Sequence, residues 1–428
     1  MAKKPQIRFK GHQDEWGDKK LGDIYNFLKG KGLSKEKLTY KGKNKCILYG
    51  EIFTRYNFEI ADCISSTDFN EGIPSVAGDI IMPGSTTTDG IDLAKAVHIP
   101  ENNILYGGDI IVLRPKDVRE VNPYFQSTLL SSINREQIAA VAQGITIVHL
   151  HGSDLDAMHY LMPEVKEQQK IGEFFKTLDE LICAKEEELE KLRQLKAALL
   201  EQMFPSEGDK HEAGGGNSQI ISLIHDSELT VSTVPNTPRI RFKGFTEPWK
   251  KKTFGKYGYI SMCKRVMKYQ TLTKGEIPFF KIGTFGGQPD AYISRELFEN
   301  LRTNYQYPHD GDILISAAGT LGRAVEFDGK EQYFQDSNIV WLNHKGKLYN
   351  PFLKLLYGVV TWNSVEGSTL KRLYNSNILN TEIFVPSYQE QQKIGDFFRE
   401  QDDAINAADQ QIRKLKTIKR ALMDKMFA

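Results

Sequence analysis

The sequence offers little sulfur chemistry. Its four cysteines, Cys46, Cys63, Cys183 and Cys263, form no C-x-x-C pair, so neither a disulfide framework nor a paired-thiol metal site is indicated, and reduced thiols of a cytoplasmic protein are expected. No stretch approaches the ~18 consecutive apolar residues of a membrane span. The opening MAKKPQIRFKG has three lysines but no apolar core of a secretory signal. No G-x-x-x-x-G-K-[ST] phosphate loop occurs, which speaks against ATP hydrolysis. GTFGG at 283–287 and AGGG at 213–216 read as turn and linker glycines. NPYF at 122–125 lacks the second proline of the adenine-methyltransferase motif, and no glycine-rich cofactor loop precedes it; it reads as a helix start with proline in the first turn. His149 and His151 in VHLHG share one face of a strand, but a metal would need a third ligand, and Asp154 and His159 are thin candidates. PDAYISRE at 289–296 has no following lysine to make a nuclease motif. With no nucleophile–base pair at credible spacing, the chain reads as a binder rather than a catalyst, and no metal site is expected.

What the sequence does contain, it contains twice. EQQKIGEFF at 167–175 returns as EQQKIGDFF at 390–398, and IRFKG at 7–11 returns unchanged at 240–244. Two tandem units are implied, each a variable body followed by a charged helical tail. At 428 residues and 40% hydrophobic content, two bodies of about 150 residues can each bury a core. The expected boundaries are 1–163 and 238–386 for the bodies, 164–204 and 387–428 for the helices, and 205–237 for a flexible linker rich in Gly, Ser and Asp.

Each body opens on I-R-F-K-G and then Trp16 or Trp249, which reads as an edge strand, a turn at the glycine and an aromatic anchor. CILYGEIF at 46–53, GDIIMPG at 78–84, GGDIIVLRP at 107–115, GDILIS at 311–316 and SNIVWL at 337–342 read as strands between turns. NPYFQSTLL at 122–130 and NPFLKLLY at 350–357 read as matching helix starts. The fold class is therefore mixed α/β or α+β. In the tails, Leu178, Ile182, Leu189, Leu192, Leu195 and Leu199 form one stripe and Ile405, Ile412, Leu415, Ile418 and Leu422 the other, in steps of three and four. The last four members of each stripe stand at the same offset as the two EQQKIG copies, so the stripes share one register. The two helices are expected to pair as a coiled coil, most easily antiparallel within one chain; pairing between two chains is the rival.

Net charge is +1, but it is unevenly spread: −1 over residues 1–163, −3 over 164–204, −4 over 205–237, +8 over 238–386 and +1 over 387–428. A basic second body attracts phosphate through counterion release.

The duplicated EQQKIG-x-FF helices, the IRFKG…W openings and the phrases GDILISAAGTLGR (311–323) and VAQGITIVHL (141–150) resemble a type I restriction–modification specificity subunit over essentially the whole chain. The resemblance implies two target-recognition domains that each read half of a bipartite sequence in double-stranded DNA. It implies helices that set the spacer and dock two methyltransferase subunits, and restriction/translocase subunits joining through the complex. It implies that this chain binds no cofactor, with S-adenosylmethionine, ATP and Mg on the partners. The long acidic linker departs from the family pattern.

Bases are told apart by donors and acceptors in the major groove, while phosphates set register. The candidate DNA contacts therefore lie in basic and amide-rich loops beside glycines: Lys29, Lys31 and Lys35; Ser85, Thr86, Thr87 and Thr88; Lys264, Arg265, Lys268 and Gln270; Ser316, Thr320 and Arg323; Lys371, Arg372 and Asn375. Arg265, Arg323 and Arg372 suit a bidentate contact to guanine, and the lysines suit phosphate. A protein-binding adaptor with two β-rich modules on a coiled coil, and a stand-alone DNA methyltransferase, are the alternatives.

Overall fold

The computed structural model describes residues 4–55, 57–60, 62–205, 228–232, 237–362 and 372–427. Most of the expected linker, including AGGG at 213–216, lies outside the described residues, as does Lys371. The chain divides into two units, Met1–Glu187 with Gln410–Ala428, and Glu188–Asp409. Two continuous helices, Val165–Met203 and Tyr388–Met426, each span 39 residues, and each unit holds part of both.

In the first unit a four-stranded antiparallel sheet runs Tyr25–Lys29, Ile110–Pro115, Asp79–Pro83, Val97–Ile99. Its two central strands read as apolar runs because both of their faces are buried. Ile80, Met82, Ile111 and Leu113 point into one core, which also holds Trp16, Phe125, Ile171 and Phe175. Ile81, Ile110, Val112, Val97 and Ile99 point into the other, with Ile47 and Tyr106. This is the two-residue side-chain alternation of a strand, with oil on both sides. The second core is closed by a small sheet in which Asn44–Ile47 pairs in parallel with Leu105–Tyr106.

The second unit repeats the plan. Its sheet runs Tyr259–Met262, Ile339–Asn343, Ile313–Ser316, Ala324–Glu326. Ile313, Ile315, Val340 and Leu342 face one core, and Leu314, Ile339 and Trp341 face the other. Here the small sheet has three strands, with Ile277–Phe280 parallel to Tyr333–Phe334, backed by the helix Arg295–Asn304 that Ser294 caps.

Most residues in EQQKIG-x-FF have a physical task. Glu167 receives a two-pronged hydrogen bond from Arg8 of the first IRFKG, at 2.6 and 2.8 Å; Glu390 receives the same from Arg241 of the second, also at 2.6 and 2.8 Å. The second pair is almost fully buried, and the Trp249 indole adds a bond to Glu390 at 3.3 Å. Gln168 accepts from the Asn122 amide at 3.0 Å and donates to the Pro163 carbonyl. Gln391 accepts from the Tyr349 amide at 3.0 Å and donates to the Pro386 carbonyl. Gly172 lies so close to the start of the helix Pro123–Leu130 that a Cβ would sit 2.4 Å from Asn122 Oδ1; at Gly395 it would sit 2.8 Å from the Tyr349 ring. Phe174 and Phe397 meet Phe9 and Phe242 edge to face. The motif thus locks a body onto its own helix.

The end of each long helix does the opposite. Phe427 enters the first unit's core and stacks on Phe175 at 5.6 Å, beside Trp16 and Phe125. Phe204, its counterpart in the first repeat, enters the second unit's core and stacks on Phe352 at 5.6 Å, beside Trp249. Each body is therefore filled partly by the tail of the other repeat. Within the first unit, Lys419 pairs with Asp179 and Lys416 with Glu186; within the second, Lys196 pairs with Asp402 and Arg193 with Asp409. Residue numbers fall on one helix as they rise on the other, so the helices run antiparallel in both units.

Three sequence expectations need correction. CILYGEIF is strand only over Asn44–Ile47; the helix Tyr49–Thr54 follows, because the Glu51 carboxylate accepts the Leu48 amide at 2.9 Å and starts a turn. IRFKG is a strand in the second unit, Ile240–Phe242 against Leu229–Val231, but not in the first, where the Ile7 amide bonds to the Lys425 carbonyl at the end of the second long helix. The expected turns do form, at Gly11 and Gly244 with φ of +97° and +91°, and both tryptophans are buried. Third, the helical stripes do not pair only with each other. Ile182, Leu189, Leu199 and Ile412 are buried, and Leu178, Leu192, Leu195, Ile405, Leu415 and Leu422 are half-buried. Leu195 and Leu199 join the second unit's core, and Leu422 the first's. Ile418 is 41% exposed. The large apolar area of Phe204 and Phe427 draws the helix ends into the bodies.

Candidate nucleic-acid interface

In the second unit the strand Ile277–Phe280 borders a groove of about 480 Å³ lined by Arg265, Lys268, Lys281, Arg372 and Asp336. Arg265 is 64% exposed and donates Nε to Asp336 Oδ2 at 2.8 Å. Arg372 donates Nη2 to the Ser337 carbonyl at 3.3 Å, and its guanidinium lies 5.9 Å from the Tyr374 ring. A backbone bridge between Ala318 and Arg372 ties this residue to the loop after Ile313–Ser316. Sequence spacing could not bring 265 and 372 together; the fold does.

Other expected contacts fall elsewhere. Ser316 is 2% exposed; its hydroxyl donates to the Thr320 carbonyl and accepts the Arg323 amide, so it shapes the loop instead of meeting a ligand. Ser85 and Thr86 are also buried, Ser85 donating to Asp109 and Thr86 bonded to Thr88 at 2.7 Å. These three hydroxyls are consumed inside the fold. Thr87, Thr88 and Thr320 are exposed. Arg323 is exposed, with Nη1 on the Phe285 carbonyl at 2.9 Å. Lys264 lies over the Tyr305 ring at 4.8 Å. The Gln270 side chain accepts the Met267 amide at 2.9 Å, and Asn375 is exposed at the start of the short helix Asn375–Asn380.

In the first unit Lys29, Lys31 and Lys35 are exposed, with no ion-pair partner among the described residues. They open a run of seven lysines between residues 29 and 45. Lys37 and Lys45 are engaged by Glu71 and Glu101, while Lys41 and Lys43 extend the basic edge. Sequence reasoning missed Lys41, Lys43 and Lys281, although the lysine run itself was a visible signal. It also missed the Asp336–Asn338 turn, whose Asp-Ser-Asn composition marks a bend.

The thiols offer no nucleophile in either body: burial pushes Cys46 and Cys263 up to about 12 and Cys63 to about 11. Among the described residues no group of His, Cys, Asp or Glu is placed to hold a metal, and no helix is long and apolar enough to cross a membrane.

The family described as the type I restriction modification DNA specificity domain matches this chain twice, at residues 13–194 and 246–417. A Haemophilus influenzae protein named for a type I restriction enzyme specificity subunit is 52% identical over 141 residues, which is 33% of this chain and 37% of that protein; the match thus spans about a third of the relative. Among solved structures, the S subunit of a type I restriction–modification system from M. genitalium superposes with a TM-score of 0.61 at 17% identity, covering 99% of both chains. A chain from a type I restriction–modification assembly superposes with a TM-score of 0.52 at 16% identity, covering 96% of this chain and 97% of that one. At such identities the structural likeness speaks for the fold. The two family matches cover most of the sequence, and the chain belongs to the type I restriction–modification DNA specificity family.

Proposed function

We propose that this chain is the non-catalytic reading subunit of a type I restriction–modification enzyme. Each domain reads one half of a bipartite site in double-stranded DNA. The two long helices hold the halves at a set spacing and dock two methyltransferase subunits, and restriction/translocase subunits join through the complex. S-adenosylmethionine, ATP and Mg belong to those partners, and the assembly works in the cytoplasm.

The observation that carries this reading is the pair of sheets with one strand order, each locked to its own helix by the same Arg–Glu clamp and each presenting a different basic surface. Two readers with one chassis and unlike contacts suit an asymmetric two-part target. A continuous helix of 39 residues is about 58 Å long at 1.5 Å per residue, enough to span more than one DNA turn of about 34–36 Å. The +8 charge of residues 238–386 supports a larger share of phosphate contact for the second domain.

The test is to express the chain with its methyltransferase in a host lacking other modification systems and to sequence the methylated adenines. A single two-part motif with a fixed unread spacer is expected. Methylation that does not depend on this chain, or a continuous motif, would overturn the reading.

A further inference from the structure

Asp336 lies at a turn that holds two arginines distant in sequence. The turn is fixed on both sides: the Gln335 amide donates to the Phe280 carbonyl at 2.9 Å, the Ile282 amide donates to Gln335 Oε1 at 3.0 Å, and the Ala317 amide donates to the Asn338 carbonyl at 2.7 Å. Ser337 within it has φ of +52°, a left-handed conformation that non-glycine residues keep only where their surroundings impose it. From this turn the Asp336 carboxylate takes Arg265 Nε and the Ser337 carbonyl takes Arg372 Nη2.

A guanidinium has two edges that can bond bidentately: the side, Nε with Nη2, and the end, Nη1 with Nη2. In Arg265 the side edge is engaged through Nε, and the guanidinium makes no other hydrogen bond among the described residues. The Asp336 side chain is 18% exposed and that of Arg265 64%, so the carboxylate lies inward and the guanidinium outward. A carboxylate at 2.8 Å weakens the pull of this arginine on a phosphate anion, but it leaves two aligned donors for neutral acceptors.

We propose that Asp336 is a positioning residue of the second domain, holding the Arg265 guanidinium end-outward to read the O6 and N7 acceptors of one guanine in the major groove. Arg372 is held beside it from the same turn. This rests on the DNA-reading function above and goes further by naming the base, the reader and the residue that aims it. Lys268, which has no ion-pair partner among the described residues, supplies phosphate contact on the same groove.

The test uses the full chain with its methyltransferase, a pool of randomised DNA duplexes and sequencing of the bound fraction. Affinity is measured across a salt series, and unfolding midpoints check that each variant folds. Arg265→Lys keeps the charge but removes the fork; Asp336→Ala keeps the fork but frees it; Asp336→Asn is the milder second variant. Arg265→Lys and Asp336→Ala are expected to lower discrimination at one guanine of one half-site by roughly 10- to 100-fold, with the other positions unchanged. Non-specific affinity should be kept or raised in Asp336→Ala. Base preferences unchanged in both variants would overturn the proposal. So would a uniform loss of affinity across sequences in a fourth variant, Arg265→Ala, with its salt slope falling by about one, the mark of a phosphate contact. If the unaltered chain selects no sequence at all, the reading function itself fails, an outcome distinct from either.

Discussion

Glu390→Gln is the sharpest probe of how a body is held to its helix. Arg241 and Glu390 are 3% and 1% exposed as side chains. Glu390 takes both prongs of Arg241 and the Trp249 indole. Arg241 keeps one further partner, the Glu247 carbonyl at 2.7 Å, and its Nη1 has none among the described residues. Neutralising the carboxylate therefore strands a buried cation already short of partners, and the cost should be about 3–5 kcal/mol. Three of the four tryptophans, Trp249, Trp341 and Trp362, lie in the second unit, so intrinsic fluorescence follows mainly its unfolding. With a urea slope of about 2–3 kcal/mol per M, the midpoint should fall by roughly 1–2.5 M. The double variant Arg241→Met with Glu390→Leu removes both charges and should recover most of the loss. In the first unit Arg8 is 14% exposed beside a fully buried Glu167; water reaches that cation, and Glu167→Gln should cost less. A loss below about 1 kcal/mol for Glu390→Gln, or a double variant worse than the single, would refute the reasoning that an unpaired buried charge, rather than the ion pair itself, sets the cost.

Gly172→Ala should destabilise the first unit by about 1–3 kcal/mol despite alanine's better helix propensity, because the new methyl would overlap Asn122; a higher thermal midpoint would contradict this. Burial pushes His344 below its ordinary value of 6.5, its Nε2 facing Asn350 and its Nδ1 accepting the Leu348 amide. The folded state thus resists protonation, and the second unit should hold its full stability above pH ~6.5 and lose part of it as pH falls below that value; urea midpoints from pH 7.5 to 5 test this, and His344→Gln should flatten the dependence. Lys95 is pushed down by burial and by nearby Lys419, so Lys95→Met should raise the first unit's midpoint at pH 7, an advantage that shrinks as pH rises toward 10.5; a lower midpoint would show that Lys95 is stabilising. Deleting two heptads in register from both long helices shortens each by about 21 Å, and under the proposed function it should change the unread spacer while both half-site sequences stay; an unchanged spacer would remove the helices' measuring role.

The duplicated framework was legible because identical words recurred along the chain. The strand segments GDIIMPG and GDILIS, the helix start at Asn122 and the paired tails all follow from local periodicity and caps. What the helix ends do was not legible. Met203 and Met426 continue the apolar stripes by helical spacing, Phe204 and Phe427 follow directly after them, and nothing local says that these phenylalanines enter a core made by the other repeat. The Arg8–Glu167 clamp joins two motifs that were each recognised, yet |i−j| is 159, and sequence spacing gives no reason to pair them. The basic loops were found as segments, while their members sorted by burial: Arg265 and Arg372 converge on one groove, whereas Ser85, Thr86 and Ser316 turn inward. A hydroxyl beside a glycine reads the same in sequence whether it bonds a ligand or closes its own turn.

The internal repeat separates what the chain must keep from what it is free to vary. Between the two units the clamp recurs with equivalent partners, and the glutamine at the helix start, the glycine of close approach and the terminal phenylalanine recur against the same parts of each unit. The ion pairs recur as well: moved by the repeat offset, Lys196–Asp402 and Arg193–Asp409 become Lys419–Asp179 and Lys416–Glu186. Among these, Arg193–Asp409 is 3.8 Å apart and half-exposed, a pair worth little to stability, so its recurrence favours a role in fixing helix register over one in holding the fold. The surfaces do not recur: lysines crowd residues 29–45 of the first unit, and two arginines line the groove of the second. A shift of one helical turn in the seam would displace a reading surface by about 5.4 Å along its helix, more than the ~3.4 Å rise of one base pair. Under the proposed function, in which two half-sites are read at once, the chain therefore needs register control even where it gains no stability from it. Reversing the charges of Arg193 and Asp409 together tests that inference: folding should persist, and spacer tolerance should stay as narrow as before, whereas reversing Arg193 alone should broaden it.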